Sequence, residues 1–116
     1  MSKEDCVFCK IVRRDINAKV EFEDNKILAF DDIRPQAPVH VVIIPKHHVE
    51  RLSDVSDEHI NLIGKLMLTA KKIAKEKNVE ESGYRIVLNC NRDGGQEVFH
   101  LHLHLLGGRP LAWPPG

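Results

Sequence analysis

The segment Phe99-His100-Leu101-His102-Leu103-His104-Leu105-Leu106 alternates strictly between apolar residues and histidine. Successive side chains of an extended strand point to opposite faces, so leucines line one face of this stretch and three imidazoles line the other. The leucine face demands a core beneath it, which requires a sheet packed on something apolar. The imidazole face is open to three readings. The plainest is a solvent-facing side, although such sides usually collect Thr, Lys and Glu. A metal site is the second: neighbouring histidines lie ~6.6 Å apart and can share an ion, whereas His100 and His104 are ~13 Å apart. Phosphoryl chemistry is the third. Imidazole is nucleophilic and titrates near neutrality, and a row lets each ring meet a different part of one extended phosphate.

The rest of the chain supplies the sheet and its cover. Asp5 is placed to cap a short helix over residues 6–13. Val20-Glu21-Phe22-Glu23 alternates like a half-buried strand, Asp24-Asn25 signals a turn, and Ile27-Leu28-Ala29-Phe30 returns. Pro35 and Pro38 make a loop. Residues 39–44 are rich in β-branched side chains and read as a buried strand stopped by Pro45. Ser56, Asp57 and Glu58 open the one long helix, with Ile60, Ile63, Met67, Ala70 and Ala74 at helical spacing and an end near Asn78. Residues 84–89 form another strand, 91–96 a flexible loop with Gly94-Gly95, and 99–106 the last strand. The expected fold is α+β: a mostly antiparallel sheet with one long helix and a short N-terminal helix, in a single domain over residues 1–116.

Lys plus Arg and Asp plus Glu both number 17, so no net charge favours DNA or an anionic membrane. The apolar stretch 41–44 is far short of the ~20 residues that span a bilayer. The N-terminus lacks the apolar core of a signal peptide. Three cysteines, Cys6, Cys9 and Cys90, do not suggest a disulfide framework. A cytoplasmic protein with reduced thiols is expected, with neither nucleic acid nor membrane as partner.

The pattern His-Leu-His-Leu-His-Leu-Leu after Gly94-Gly95-Gln96-Glu97-Val98-Phe99 closely resembles the histidine triad family. Gly107-Gly108-Arg109 and the terminal Trp113-Pro114-Pro115-Gly116 resemble its Hint branch, the purine nucleoside phosphoramidases. The resemblance extends through Phe8, Lys10-Ile11, Ala29-Phe30, Asp32-Ile33, Pro35-Gln36-Ala37-Pro38, His40, Ile44-Pro45-Lys46 and Asn89. It implies hydrolysis of the P–N bond of adenosine or guanosine phosphoramidates, including acyl- and lysyl-adenylates, with no cofactor required for catalysis. His102 would attack phosphorus and become nucleotidyl-histidine. His104 and His40 would bind the phosphate and help protonate the leaving amine, while the main-chain carbonyl of His100 orients His102. Asn89, Gly95, Gln96 and Val98 would surround the phosphate, Asp32 would hold the ribose, and Phe8, Ile11, Phe30 and Ile33 would enclose the purine. Two departures stand out: Glu97 occupies a position where many relatives carry serine, and the pair Cys6-x-x-Cys9 is missing from many Hint relatives. Alternatives are a dinucleoside polyphosphate hydrolase, a nucleotide-binding scaffold and a metal-binding module.

A Cys-x-x-Cys pair is a common half of a zinc site. Zinc-bearing relatives, and the related galactose-1-phosphate uridylyltransferases, complete it with the first triad histidine and one after the Pro-Lys strand end. That implies a structural zinc on Cys6, Cys9, His48 and His100, with His47 as the neighbouring alternative. Relatives also pair through the long helix and an edge strand. A homodimer through residues 84–89 and Ile60, Ile63 and Met67 is therefore expected, bringing Trp113 of one chain toward the other's site.

Overall fold

The run Val41-Val42-Ile43-Ile44 lies in the central strand of the computed structural model, which describes residues 3–116. In chain order the elements are α1 (Val7–Val12), β1 (Val20–Glu23), β2 (Ile27–Asp31), β3 (Val39–Pro45), α2 (Ile60–Glu76), β4 (Tyr84–Val87) and β5 (Leu103–Gly107). Two short 3-10 turns, Leu52–Asp54 and Asp57–His59, precede α2. All five strands pair antiparallel in the order β1-β2-β3-β5-β4. This is the expected α+β arrangement of sheet, long helix and short N-terminal helix.

Both faces of the sheet are covered, which is why β2 and β3 carry continuous apolar runs rather than alternating ones. Ile27, Ala29, Val41, Ile43, Leu103 and Leu105 pack under Leu66, Ala70, Ile73 and Ala74 of α2. Leu28, Phe30, Val42 and Ile44 face the other way, onto Phe8, Cys9 and Ile11 of α1. Asp24 closes the β1–β2 turn, its Oδ1 accepting the main-chain N–H groups of Lys26 and Ile27 at 2.8 Å each.

Three local expectations are corrected. The N-cap of α1 is Cys6, whose sulfur accepts the Cys9 N–H at 3.4 Å, and not Asp5. The buried stripe of α2 runs through Leu66, Thr69, Ala70, Ile73 and Ala74. Ile60 is 65% exposed and Met67 also faces outward, beside Leu68 at 66%. The helix carries two apolar stripes, and the sheet takes the one with small alanines that allow close approach. Finally, the last strand begins at Leu103 rather than Phe99. Pro45, at the end of β3, has no N–H to donate. The chain beyond it turns, and Leu101 N–H bonds instead to the Val49 carbonyl at 2.7 Å. The alternation of side chains survives this break: Leu101, Leu103 and Leu105 are all buried in the core under α2. Among the described residues no helix is long and apolar enough to cross a membrane.

Candidate active site

The histidine face lies on the α1 side of the sheet, and main-chain groups fix the tautomers of its rings. The Nε2 of buried His100 lies 2.7 Å from the Pro45 carbonyl oxygen. A carbonyl only accepts, so Nε2 carries the proton and Nδ1 offers a lone pair. His102 is arranged the opposite way: its Nδ1 donates to the His100 carbonyl oxygen at 2.7 Å, leaving the lone pair on Nε2. His40 accepts the Gln36 main-chain N–H at Nδ1, 3.0 Å away. Its Nε2–H therefore donates, with His104 Nδ1 at 2.9 Å and Asp32 Oδ2 at 3.4 Å. His104 accepts at Nδ1 and keeps Nε2–H as a donor.

Burial holds this row neutral. Desolvation lowers the pKa of His102 against the opposing pull of the His100 carbonyl and Asp32. It pushes His104 down to about 4, with His102 and His40 adding to the effect. His40 is lowered by burial, which outweighs Asp32. At pH 7 the row therefore combines one unprotonated Nε2 lone pair on His102 with one Nε2–H donor on His104. That pairing suits nucleophilic attack beside a hydrogen-bond donor.

The other sequence-derived residues fall into two groups. Phe8 stands edge-on to His102, with ring centroids 5.1 Å apart, and edge-on to Phe30 at 5.4 Å. Ile11 belongs to the same buried cluster, and Val98 packs against it. Asp32 uses Oδ1 to accept the Arg34 N–H at 2.8 Å and turns Oδ2 toward His40. Phe8, Ile11, Phe30, Val98, Asp32, His40, His102 and His104 thus form one contiguous region. Ile33, by contrast, is 90% exposed, and Trp113 is 84% exposed. The tail before Trp113 is tied to the body, because Arg85 on β4 donates to the Ala112 carbonyl at 2.9 Å.

Asn89 is half-buried and Gly95 exposed, leading into the turn that Gln96 closes. The Gln96 side chain is committed to scaffolding: its NH2 donates to Glu50 O and Val98 O, and its Oε1 accepts Asn91 N–H. Gly94 is required there, since a Cβ would come 2.6 Å from the Cys90 carbonyl oxygen. Sequence reasoning did not find the Gln36 N–H and the Pro45 carbonyl. Main-chain groups carry no residue-type signal.

Cys6, Cys9, His48 and His100 converge, with their ligand atoms all within 4.8 Å of one another. A tetrahedral zinc spaces sulfur from nitrogen ligands by about 3.5 Å and nitrogen from nitrogen by about 3.3 Å. The observed separations are 3.4 Å for Cys6 Sγ to His100 Nδ1, 3.3 Å for Cys9 Sγ to His48 Nδ1, and 3.6 Å for Cys9 Sγ to His100 Nδ1. The two Nδ1 atoms lie 3.1 Å apart. His100 also has the outer-shell anchor typical of a ligand, its Nε2–H on a carbonyl. Burial, then Cys6, pushes the Cys9 thiol up to about 11, so a thiolate forms there near neutrality only against a cation. This cluster of residues can hold a metal. His47 lies outside it, stacked on His59.

Asp32, His40 and His104 also come within such a distance. An ion at His40 Nε2 would have to displace its proton while Gln36 still occupies Nδ1, leaving an imidazolate. That set is built for hydrogen bonding.

Residues 13–111 match the HIT domain family. The chain belongs to that family. It is 48% identical to the purine nucleoside phosphoramidase of Escherichia coli, over 94% of this chain and 92% of that protein. An uncharacterised HIT-like protein of Synechococcus elongatus is 53% identical over 97% of this chain and 98% of its own length. Among solved structures, a HIT family hydrolase from Legionella pneumophila superposes with a TM-score of 0.95 at 54% identity, covering 97% of this chain and all of that one. A histidine triad protein from Clostridium difficile gives 0.92 at 42% identity, covering 97% of each chain.

Proposed function

We propose that this protein is a hydrolase that cleaves the P–N bond of purine nucleoside 5′-phosphoramidates through a nucleotidyl intermediate on His102. The observation that carries this reading is the His102 Nδ1–H bond to the His100 carbonyl, which leaves the opposite nitrogen as a neutral nucleophile. The 48% identity to a protein named for this activity supports the substrate class.

In the first step the Nε2 lone pair forms a bond to the α-phosphorus as the P–N bond breaks. The departing nitrogen takes the bonding pair together with a proton from solvent, while His104 Nε2–H, oriented by His40, donates to the phosphate. The His102 ring then carries a positive charge, which the His100 carbonyl stabilises through Nδ1–H. In the second step a water oxygen bonds to phosphorus, the Nε2–P pair returns to the ring, and the water proton leaves to solvent. Asp32 accepts hydrogen bonds from the ribose hydroxyls, and Phe8, Ile11, Phe30 and Ile33 bound the base. Asn89, Gly95 and Val98 surround the phosphate. Gln96 contributes there through its main chain, because its side-chain amide is already used. A panel of adenosine and guanosine phosphoramidates beside diadenosine polyphosphates, read by rate, tests the assignment. The phosphoramidates should turn over at least tenfold faster in kcat/KM, about 1.4 kcal/mol in transition-state binding. Faster cleavage of the polyphosphates would overturn it.

Zinc is the metal whose bond lengths the Cys6, Cys9, His48 and His100 spacing suits. Bound there, it supplies a structural cross-link between the N-terminal segment and the chain around the triad. Such a thiol site fits a cytoplasmic setting, where cysteines stay reduced.

A second copy of the chain is the natural cover for the outer stripe of α2 and the free edge of β4, and that pairing would carry Trp113 toward the partner's site. Light scattering at micromolar concentration should return twice the chain mass; a single-chain mass would refute the dimer.

A further inference from the structure

His100 faces two ways. Its ring belongs to the Cys6, Cys9 and His48 cluster, and its carbonyl is the acceptor that sets the tautomer of His102. The sheet does not hold that carbonyl, because residues 99–102 lie outside the β ladder, which starts at Leu103. The main chain of this stretch is anchored by Leu101 N–H on Val49 O. That N–H shares one planar peptide with the His100 carbonyl, so the carbonyl is aimed by two ties to the cluster: the bond to Val49 O, one residue past His48, and the His100 ring, held by Pro45 O at Nε2 and by the cluster at Nδ1.

A second contact leads from the same cluster to the same nucleophile. Phe8 lies between Cys6 and Cys9 on α1, and its ring stands at 88° to the His102 ring, 5.1 Å away, and 5.9 Å from His100. A helix of six residues has no stability of its own. Its seat on the sheet comes from packing and from whatever Cys6 and Cys9 bind. The nucleophile is thus gripped at Nδ1 by a carbonyl and on its ring by a T-shaped contact with Phe8, and both grips are attached to one cluster.

The geometry points to His100 and Phe8 as positioning residues through which a zinc ion on Cys6, Cys9 and His48 fixes the orientation of His102. This rests on the zinc and phosphoramidase readings above. The zinc touches no substrate and no reacting atom. Its occupancy changes how often His102 presents Nε2 to phosphorus, so it acts chiefly on kcat; because Phe8 and Ile11 of α1 also bound the base, KM changes too, by a smaller factor.

The test compares zinc-loaded and chelator-treated full-length protein in three measurements: zinc per chain, the 1H–15N signals of the His102 imidazole, and kcat against KM. Loaded protein should carry about one zinc and show a slowly exchanging Nδ1–H on His102. Zinc-free protein should lose that signal and fall roughly ten- to a hundredfold in kcat, with a smaller rise in KM, and added zinc should restore all three. If chelation unfolds the chain, His48→Gln, which removes one ligand and keeps both cysteines, is measured in the same way. An unchanged Nδ1–H signal and unchanged kcat after zinc loss would overturn the inference, as would protein from zinc-replete cells that carries none. The imidazole spectrum needs no substrate. A failed phosphoramidase assignment would leave the coupling readable, and a silent spectrum beside normal turnover would sink the coupling alone.

Discussion

His102→Ala should reduce phosphoramidate turnover by roughly 10⁴-fold or more while nucleotide affinity changes little. The size follows from covalent catalysis. Without an attacking Nε2, neither the His104 donor nor the phosphate contacts can form the intermediate, and only the slow direct attack of water remains. Affinity is carried elsewhere, by Asp32 and by the apolar cluster of Phe8, Ile11 and Phe30. The exchange removes a ring that touches Phe8 and His104, so some local loosening is expected, but the leucine core on the opposite face is untouched. Isothermal titration with AMP against steady-state rates separates the two effects. A variant that kept even a tenth of wild-type turnover would exclude His102 as the nucleophile.

Leu105→Ala should cost roughly 2–5 kcal/mol of stability. Leu105 is fully buried on β5, paired with Val41 of β3 on one side and Ile86 of β4 on the other. It faces the core beneath α2, where close-packed neighbours cannot collapse fully into the space of an isobutyl group. The loss should appear as a lower urea midpoint at unchanged slope. A cost below about 1 kcal/mol would mean that the leucine face of the alternating segment is not the centre of the core.

The alternation from His100 to Leu105 was enough to assign opposite faces to leucine and histidine, because a period of two leaves only one choice. It was not enough to locate the start of the strand. That boundary depends on Pro45, which lies far away in sequence and withdraws a donor from the ladder at the point where Leu101 would pair. In α2 the two apolar stripes, Ile60 with Met67 and Leu66 with Ile73, have similar periodicity, and only the position of the sheet decides which is buried. The Cys-x-x-Cys spacing pointed to half a metal site. The choice of His48 over His47 came from resemblance, and the fold brings His48 to the cysteines by turning the chain after Pro45. The tautomers were the least legible feature. The resemblance supplied the His100 carbonyl for His102, but Gln36 N–H and Pro45 O, which set the tautomers of His40 and His100, are main-chain groups that every residue carries.

The proposed reaction turns on a covalent bond between His102 and the nucleotide. Wild-type protein mixed with excess adenosine 5′-phosphoramidate and quenched in acid-free denaturant within milliseconds can be weighed intact and then mapped by peptide. A mass increase of one adenylate per chain is expected, located on His102 and lost as substrate is exhausted. Full turnover with no adduct at any quench time, or an adduct on His104 instead, would contradict it.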